Sequence, residues 1–556
     1  MSDALLAGVS GLKAHQKMID VAGHNLANVD TAAFKSSRVS FSEMLNETLR
    51  EASQSSASVG GVNPMQIGSG VTLGAVSRNM TQGALIDTGQ PLDMAIEGAG
   101  YFTLNDGTRD LYTRVGQFAV DSDYYLVDPA TGYRVQRMGS EGVDVGFQSI
   151  ASTAIRIPYD VALQAKETSR ISYVGNLSAD DYNPTMNVLA SPLQYTVDEA
   201  VANNDHHLDE LDQMTGLAAT DTLTVHGFKR DGAELGGGAG VEIALHDGTD
   251  YLTLGELMTA VTNAYKIGGE EVSAASIENG QIYLTDAEAG YSKTDISLAY
   301  NGSGGFGLPD YFKVNSAGGL AGKTTNITIY DSQGIAHSLS ADFVRTDAPN
   351  TWDLVMTSLS GDVQLVDRRV AGIGFLADGS FGGVQGTDMA SFRVTFLNDP
   401  TNPRTISLDL GTIGDTDGLS QFGNTSTVAP SSQDGYPAGW LSSLSVTSGG
   451  VLVGVFTNGV REEVAALKLA SFQNSAGLSN VGANYWEPTA NSGDPVPTKA
   501  TEGGAGSIHG SAVEKSNVEM AVEFVNLIQA QNGYQASART IRVATDILRE
   551  LTNLIR

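Results

Sequence analysis

The chain has 556 residues, a formal net charge of −31 at pH 7, 41% hydrophobic residues and no cysteine. The absence of cysteine excludes disulfide bonds, thiolate metal sites and thiol catalysis. The negative charge argues against nucleic-acid binding, because a nucleic-acid-binding protein neutralises phosphates with a basic surface. The length predicts about four domains. No run of apolar residues is long enough to predict membrane insertion, and the first residues lack the pattern of a cleaved Sec signal.

The charge is distributed unevenly along the chain. Residues 1–50 contain five acidic and five basic residues, and residues 511–556 contain the same numbers. All of the net negative charge therefore lies between the two ends. An acidic middle is typical of a solvated surface that repels copies of itself, whereas neutral ends can pack against many copies.

The N-terminal segment has a heptad-like apolar pattern, which predicts an amphipathic helix. Its positions are separated alternately by four and three residues: Leu5, Val9, Leu12, Gln16, Ile19, Gly23 and Leu26. Each glycine weakens a helix by about 1 kcal/mol relative to alanine, and this segment contains Gly8, Gly11 and Gly23. We therefore expect the helix to be poorly formed alone and to need partners.

The C-terminal segment repeats the same rhythm. Its stripe consists of Met520, Phe524, Leu527, Gln531, Tyr534, Ala538, Ile541, Ala544, Leu548, Leu551 and Ile555. The pattern predicts a helix over 512–555, about 66 Å long at 1.5 Å per residue. A single stripe of this kind usually packs on the core of its own domain. Two such stripes at the two ends of the chain favour paired terminal helices, or helices that dock between subunits.

The middle of the chain is predicted to be rich in β-strands. After a small-residue connector at 51–70, strands are expected at 71–76, 92–98, 100–104, 117–121 and 131–138. Residues 182–318 predict a small α+β insertion, with strands at 222–228 and 241–248, and a hairpin turn entering a strand within 278–286. Its helix at 253–265 begins with a capping box formed by Thr253 and Glu256. Further strands are expected within 324–344, 351–358 and 440–460.

Side chains that could support catalysis or metal binding do not converge in the sequence. His206 and His207 precede three acidic residues, but their spacing does not suit a convergent site, and the polar surroundings favour a solvated loop. Residues 414–420 have too few alternating oxygen ligands for a calcium loop. The chain contains no phosphate-binding loop, dinucleotide-binding, nucleophile-elbow or zinc-protease motif. We therefore predict no enzyme activity, no cofactor and no metal.

Residues 11–41 contain a characteristic pattern, whose positions are occupied by Asn25, Leu26, Ala27, Asn28, Thr31, Phe34 and Lys35. With this pattern, they resemble the N-terminal signature of one protein family, the rod and hook axial proteins of the bacterial flagellum. Residues 514–556 resemble its C-terminal end through Ser516, Asn517, Val518, Phe524, Gln531, Tyr534 and Gln535. Residues 89–102 match a recurring internal element. The long insert, with YDSQGIAHSLSADF at 330–343, resembles the outer domains of the hook members of the family.

The resemblance implies a nested architecture. The fold class is expected to be mainly β with a helical terminal domain, in which the N- and C-terminal helices are paired. The expected parts are an inner helical domain (1–45 with 508–556) lining a channel, a connector (46–85) and an inner β domain (86–181 with 431–507). They are completed by an inserted α+β outer domain (182–318) and an outer β domain (319–430). The terminal stripes would then serve subunit assembly.

The assembly residues are predicted on the two terminal segments. They are Leu5, Val9, Leu12, Ile19, Asn25, Leu26, Asn28, Phe34, Met520, Phe524, Leu527, Tyr534, Ile541, Leu548, Leu551 and Ile555. We also expect residues 1 to about 70 and 505–556 to be largely disordered in the free monomer, because glycine-interrupted heptad stripes need partners.

The resemblance implies a structural subunit of the flagellar hook. Many copies would form a curved tubular universal joint that transmits torque from rod to filament and carries the export channel. Its expected partners are copies of itself, the distal rod protein, the hook–filament junction protein, the hook cap protein and the flagellar type III export apparatus. Its expected location is the extracellular hook. The alternatives are a distal rod or other axial protein, which the long insert disfavours, and a secreted β-rich adhesin, which would not need these termini.

Overall fold

The computed structural model describes residues 2–55, 60–309, 311–360, 363–385, 390–396 and 398–554. The described residues fold into two compact units, one formed by Met1–Leu163 with Gly439–Arg556 and the other by Gln164–Ala438. Strands dominate both units, and a helix lies at each end of the chain. The predicted fold class, mainly β with paired terminal helices, is therefore confirmed.

The terminal helices belong to the first unit. Helix α1 spans Ser2–Ala27, as the heptad pattern predicted. The third helix in chain order, α3, spans Met520–Leu554 and is therefore about 52 Å long. It begins eight residues later than the prediction of 512–555, because Ala512–Glu514 forms a strand paired with Leu85–Asp87. None of the described helices has the length and apolar character needed to cross a bilayer.

A long antiparallel ribbon follows α1, and we call residues 37–50 and 65–78 the ribbon. It pairs Ser37–Glu43 with Val71–Arg78 and Asn46–Arg50 with Met65–Gly68. The sequence analysis predicted the strand at 71–76 but treated 51–70 as a connector without regular structure. The strand Met65–Gly68 forms there because its backbone groups pair with those of Asn46–Arg50, a partner that local composition does not reveal.

The rest of the first unit is built from two distant parts of the chain. Its largest sheet contains Tyr101–Asn105, Asp110–Thr113, Ala119–Val120, Leu126–Val127, Arg134–Val135, Leu469–Ser471, Ser479–Gly482, Tyr485–Glu487 and Val496–Thr498. A smaller sheet contains Leu441–Val446, Val451–Phe456 and Arg461–Ala466, and Met94–Glu97 pairs with Ser507–Gly510. Tyr101, Tyr112 and Trp486 share one buried cluster. The outgoing and returning segments of the chain therefore complete one another's sheets.

One part of the second unit contains two β-sheets around a shared core. One contains Arg170–Ser178, Val363–Asp367, Ser391–Phe396, Arg404–Asp409, Leu419–Phe422 and Ala429–Gln433. The other contains Gly322–Tyr330, Ala336–Arg345, Thr351–Leu359, Arg369–Phe375 and Phe381–Val384. Trp352, Phe343 and Phe392 are completely or almost completely buried in their shared core. The strands predicted within 324–344 and 351–358 are confirmed.

Residues 182–318 form an α+β part of the second unit with its own core. One of its sheets contains Val188–Ala190, Ser273–Glu278, Gln281–Asp286 and Lys313–Ser316. Another contains Thr222–Phe228, Val241–Ala244 and Asp295–Asn301. Short pairs are Thr196–Val197 with Ala200–Val201 and Met214–Thr215 with Gly305–Phe306. Helix α2, Leu254–Ala264, begins at the predicted capping box of Thr253 and Glu256 and buries Leu257 and Val261. Asn279 and Gly280 have positive φ in the predicted hairpin turn.

Candidate assembly site at the paired termini

The two terminal helices pack against each other at glycines. A Cβ atom on Gly8 would lie 2.8 Å from Cγ1 of Ile541, and one on Gly11 would lie 2.8 Å from Oγ of Ser537. A Cβ atom on Gly533 would overlap the ring of His15. These glycines lower the helix propensity, but they let the two backbones approach closely. Gly23 has no atom within 4 Å of the position of a Cβ atom, so packing does not explain it.

The structure separates the predicted assembly residues into three groups. The buried residues are Asn25 and Phe34. The half-buried residues are Leu5, Leu12, Ile19, Leu26, Asn28, Leu527, Ile541 and Leu548. The exposed residues are Val9, Met520, Phe524, Tyr534 and Leu551. Ile555 lies outside the described residues. The buried positions in the described part of α3 are Glu523, Ala530 and Ala544. Of these, only Ala544 lies on the predicted stripe, because close helix packing selects size as well as hydrophobicity.

A large apolar surface remains exposed on α3. Phe524 and Ile528 are 51% and 55% exposed, and their spacing of four residues puts both on one side of α3, one helical turn apart. The other exposed apolar residues of this helix are Met520, Val522, Val525, Tyr534, Val543, Ile547 and Leu551. Exposed apolar surface concentrated on one element of a folded chain marks an interaction surface.

Asn25 joins the end of α1 to the start of α3. Its side-chain amide donates to the backbone carbonyl of Ser37 at 2.8 Å and to the carboxylate of Glu523 at 2.9 Å. Its side-chain oxygen accepts from the backbone N–H of Ser37 at 2.9 Å. One buried side chain therefore fixes both the ribbon and α3 relative to α1.

Lys35 and Glu514 form a buried ion pair beside this contact. The Nζ of Lys35 lies 2.6 Å from a Glu514 carboxylate oxygen, and the two side chains are 1% and 0% exposed. The same carboxylate oxygen accepts from the backbone N–H of Gly83 at 2.8 Å, and Arg114 lies 3.7 Å from the other oxygen. Burial lowers the pKa of the Lys35 ammonium, and the Glu514 carboxylate opposes that shift. The pair cannot lose one partner without leaving a buried charge.

Backbone contacts hold the loop after α1 against the segment before α3. The backbone N–H of Ala33, whose φ is +55°, donates to the carbonyl of Glu514 at 2.8 Å. The side chain of Asn517 accepts from the backbone N–H of Ser36 at 2.8 Å and donates to the carbonyl of Asn79 at 2.8 Å. We call this set of contacts between residues 25–37, 79–83 and 514–523 the terminal junction.

The sequence analysis found only part of the terminal junction. Lys35 and Asn517 were recognised as positions of the family pattern, but their partners were not identified. Glu514 and Glu523 were missed, although an acidic residue close to an apolar stripe can signal a buried polar contact. Pairing across more than 450 residues of sequence, as between Lys35 and Glu514, leaves no local pattern.

His206 and His207 form hydrogen bonds to backbone groups. The Nδ1 of His207 lies 2.7 Å from the backbone carbonyl of Tyr251, and Nδ1 of His206 accepts from the backbone N–H of Asn203. Hydrogen bonding to that carbonyl raises the pKa of His207. Among the described residues, no three His, Asp or Glu side chains are grouped as metal ligands.

Family models match four parts of the chain in order. They are the flagella basal body rod protein (5–35), the flagellar hook protein FlgE/F/G D1 domain (95–179), the flagellar basal body protein FlaE D2 domain (308–436) and the flagellar basal body rod FlgEFG protein C-terminal region (509–554). The first and last of these matches cover most of α1 and α3. They include Lys35 and Glu514, the two partners of the buried ion pair.

Two proteins that are similar along the whole chain are flagellar hook proteins. The chain is 28% identical over 566 residues to the flagellar hook protein FlgE of Treponema pallidum and 26% identical over 560 residues to that of Borreliella burgdorferi. Both alignments cover 100% of each chain. The crystal structure of Helicobacter pylori flagellar hook protein FlgE2 is 17% identical, covers 76% of this chain and 99% of that one, and has a TM-score of 0.39.

The paired terminal helices and the order of the matched regions define an axial protein of the bacterial flagellum. Within that class, the chain belongs to the family of flagellar hook proteins. It is a structural subunit of the hook, and the distal rod and adhesin alternatives are not favoured.

Proposed function

We propose that the chain polymerises through its terminal helices into a curved tube that acts as a universal joint between rod and filament. The observation that carries this proposal is the exposed apolar surface of α3, which the described residues of its own chain cover only in part. Neighbouring copies would cover that face. Contacts that repeat head to tail without closing generate a helical tube.

The distribution of charge supports different roles for the inner and outer parts of each subunit. A joint that bends while it rotates needs firm contacts near its axis and replaceable contacts farther out. The neutral ends carry the apolar helix faces, whereas the acidic middle carries the net charge of −31. Polar outer surfaces can exchange water-mediated contacts as neighbouring subunits move.

The domain organisation of the subunit follows from these different roles. Residues 1–45 with 508–556 would line the export channel, and 46–85 would connect them to an inner β domain of 86–181 with 431–507. Residues 182–318 and 319–430 would form the outer domains. The torque of the motor would pass along the inner contacts, and the outer domains would slide past one another.

The proposed location is the extracellular hook. The chain would reach it through the flagellar type III export apparatus without a cleaved Sec signal. Its partners would be copies of itself, the distal rod protein at the base, the hook–filament junction protein at the far end and the hook cap protein during growth. The subunit would act mechanically and catalyse no reaction.

Point substitutions on the full-length chain test the proposal. Replacing Phe524 and Ile528 by aspartate puts two charges on the exposed face of α3, and we expect tube formation to be lost. The matched control is Ile150→Asp, because Ile150 is 87% exposed but lies outside α1 and α3. Electron microscopy and sedimentation at polymerising concentration give the result.

A truncated chain gives a second test of the same proposal. A chain without residues 1–50 and 508–556 should remain a folded, β-rich monomer that forms no tubes. If the aspartate variant or the truncated chain polymerises as well as the parent, the outer domains carry the contacts and the proposed role of α3 is wrong.

A further inference from the structure

Basic residues are concentrated at one place in a strongly acidic part of the chain. Residues 182–318 contain twenty acidic residues but only five basic ones. Three of those five, Lys229, Arg230 and Lys293, lie together, because the backbone N–H of Lys293 donates to the carbonyl of Arg230 at 3.1 Å. We call these three residues the basic cluster.

The charges of the basic cluster are not neutralised by any carboxylate of the described residues. The Nζ of Lys229 donates to the backbone carbonyl of Lys266 at 2.6 Å. The guanidinium of Arg230 donates to the carbonyls of Glu288 and Ala289 at 2.8 and 3.3 Å. Lys293 has no hydrogen bond or ion pair from its ammonium among the described residues; its Nζ lies 6.0 Å from the ring centroid of Tyr291. Carbonyl acceptors satisfy donors, but they leave the positive charges in place.

Lys293 of the basic cluster lines a cleft of about 350 Å³ within the second unit. Phe228 and Gly232 also line this cleft, and its other charged lining residues are Asp295, Asp367, Arg368 and Arg369. Phe228 is 41% exposed and presents an apolar edge beside the lysine. Apolar walls reduce water in a cleft and strengthen the field of a nearby charge.

The two arginines hold the walls of the cleft together and are already compensated. Arg368 lies 3.3 Å from the Asp295 carboxylate and donates to the carbonyl of Phe312 at 2.8 Å. Arg369 lies 3.0 Å from the buried Asp353 carboxylate. On the rim, Asp367 is paired with Arg393 at 2.6 Å. The uncompensated charge therefore belongs to the basic cluster, with Lys293 as its member inside the cleft.

We propose that this cleft receives acidic side chains from the outer part of a neighbouring copy of the chain. The inference rests on the proposed polymerisation, and charge complementarity within the sequence identifies the occupant. Copies with a net charge of −31 repel one another. A basic cleft on an acidic outer surface offsets that repulsion at one position and selects where the neighbouring copy approaches.

Carbodiimide coupling tests the contact, because it joins a lysine ammonium to a carboxylate that touches it. In full-length tubes we expect covalent dimers and larger species, with Lys293 linked to an acidic residue within 182–430. The same treatment of the dilute monomer should leave Lys293 unlinked. Lys293→Gln should remove the dimers. The matched control is Lys166→Gln, which should keep them because Lys166 lies 3.3 Å from Asp434 of its own chain.

Charge reversal gives a second measurement. Lys293→Glu should raise the critical concentration for tube formation severalfold at low ionic strength, and less at high ionic strength because salt screens exposed charges. Tubes that form without a link from Lys293 between copies would overturn this inference and leave the proposed polymerisation standing. A link from Lys293 within the dilute monomer would also overturn it. A chain that forms no tubes, and is absent from hooks isolated from cells, would overturn both.

Discussion

Glu514→Gln tests the terminal junction most directly. The substitution keeps the shape of the side chain and an acceptor for the Gly83 N–H, but it leaves the charge of Lys35 buried and uncompensated. Removing one partner of a buried ion pair costs about 3–5 kcal/mol. If the terminal junction forms when subunits assemble, the substitution destabilises the assembled state by this free energy. Since about 1.4 kcal/mol is a factor of ten, the critical concentration for tube formation should rise roughly 100-fold or more.

Two controls show whether the effect comes from the buried charge. Lys35→Met combined with Glu514→Gln removes both charges and should recover much of the loss. Asp20→Asn breaks the exposed pair of Lys17 and Asp20, whose side chains are 61% and 50% exposed, and should change the critical concentration less than about fivefold. Sedimentation at graded protein concentrations measures all of these values. If the critical concentration of the Glu514→Gln variant were within about threefold of that of the parent, Lys35 and Glu514 would not form a buried ion pair in the assembled tube.

Three further predictions concern other parts of the chain. In assembled tubes, Gly533→Ala should lower the melting temperature of the helical circular dichroism signal, because its methyl group overlaps His15. Gly23→Ala should raise the melting temperature, because alanine stabilises a helix by up to about 1 kcal/mol relative to glycine. If both substitutions shifted the melting temperature in the same direction, the packing described would be contradicted. Desolvation would raise the pKa of Asp434, but hydrogen bonds from Ser169 and Arg170 outweigh it and lower the pKa to about 2. The resulting stability, roughly 1 kcal/mol after solvent screening, is present above pH 4 and lost from pH 4 to 2, so Asp434→Asn should flatten urea-unfolding stability in that range. Hydrogen exchange should be fast in the dilute monomer at residues 2–55 and 505–554 and slow in tubes; strong protection in the monomer would contradict disordered termini.

The glycines of the terminal helices lower helix propensity but allow the two helices to pack closely. Gly8 and Gly11 reduce the stability of α1 as an isolated helix, yet both face side chains of α3 at contact distance. Gly533 has the same role on α3, opposite His15. A helix pair built in this way depends on both of its members, which agrees with the expectation that the ends of the free monomer are disordered.

Local patterns determined much of the fold. The heptad spacing predicted α1 and most of α3, and the capping box of Thr253 and Glu256 predicted the start of α2. The Asn279–Gly280 turn predicted a hairpin, and Thr222–Phe228 is a strand with the predicted bounds. These features were predictable because helical period, capping and turn geometry each depend on a few neighbouring residues.

Tertiary structure alone decided which residues meet. The apolar stripe of α3 was evident from the sequence, but the folded chain buries Ala530, which lies off the stripe, and leaves Phe524, which lies on it, exposed. Lys35 meets Glu514 across almost the whole chain, and the strand Ala512–Glu514 replaces a predicted helical turn because its partner is Leu85–Asp87. The hydrophobic period of a helix shows which of its faces is apolar, but not how large the side chains packed against that face are. Pairing between distant segments depends on backbone and charged groups that meet only in the folded chain.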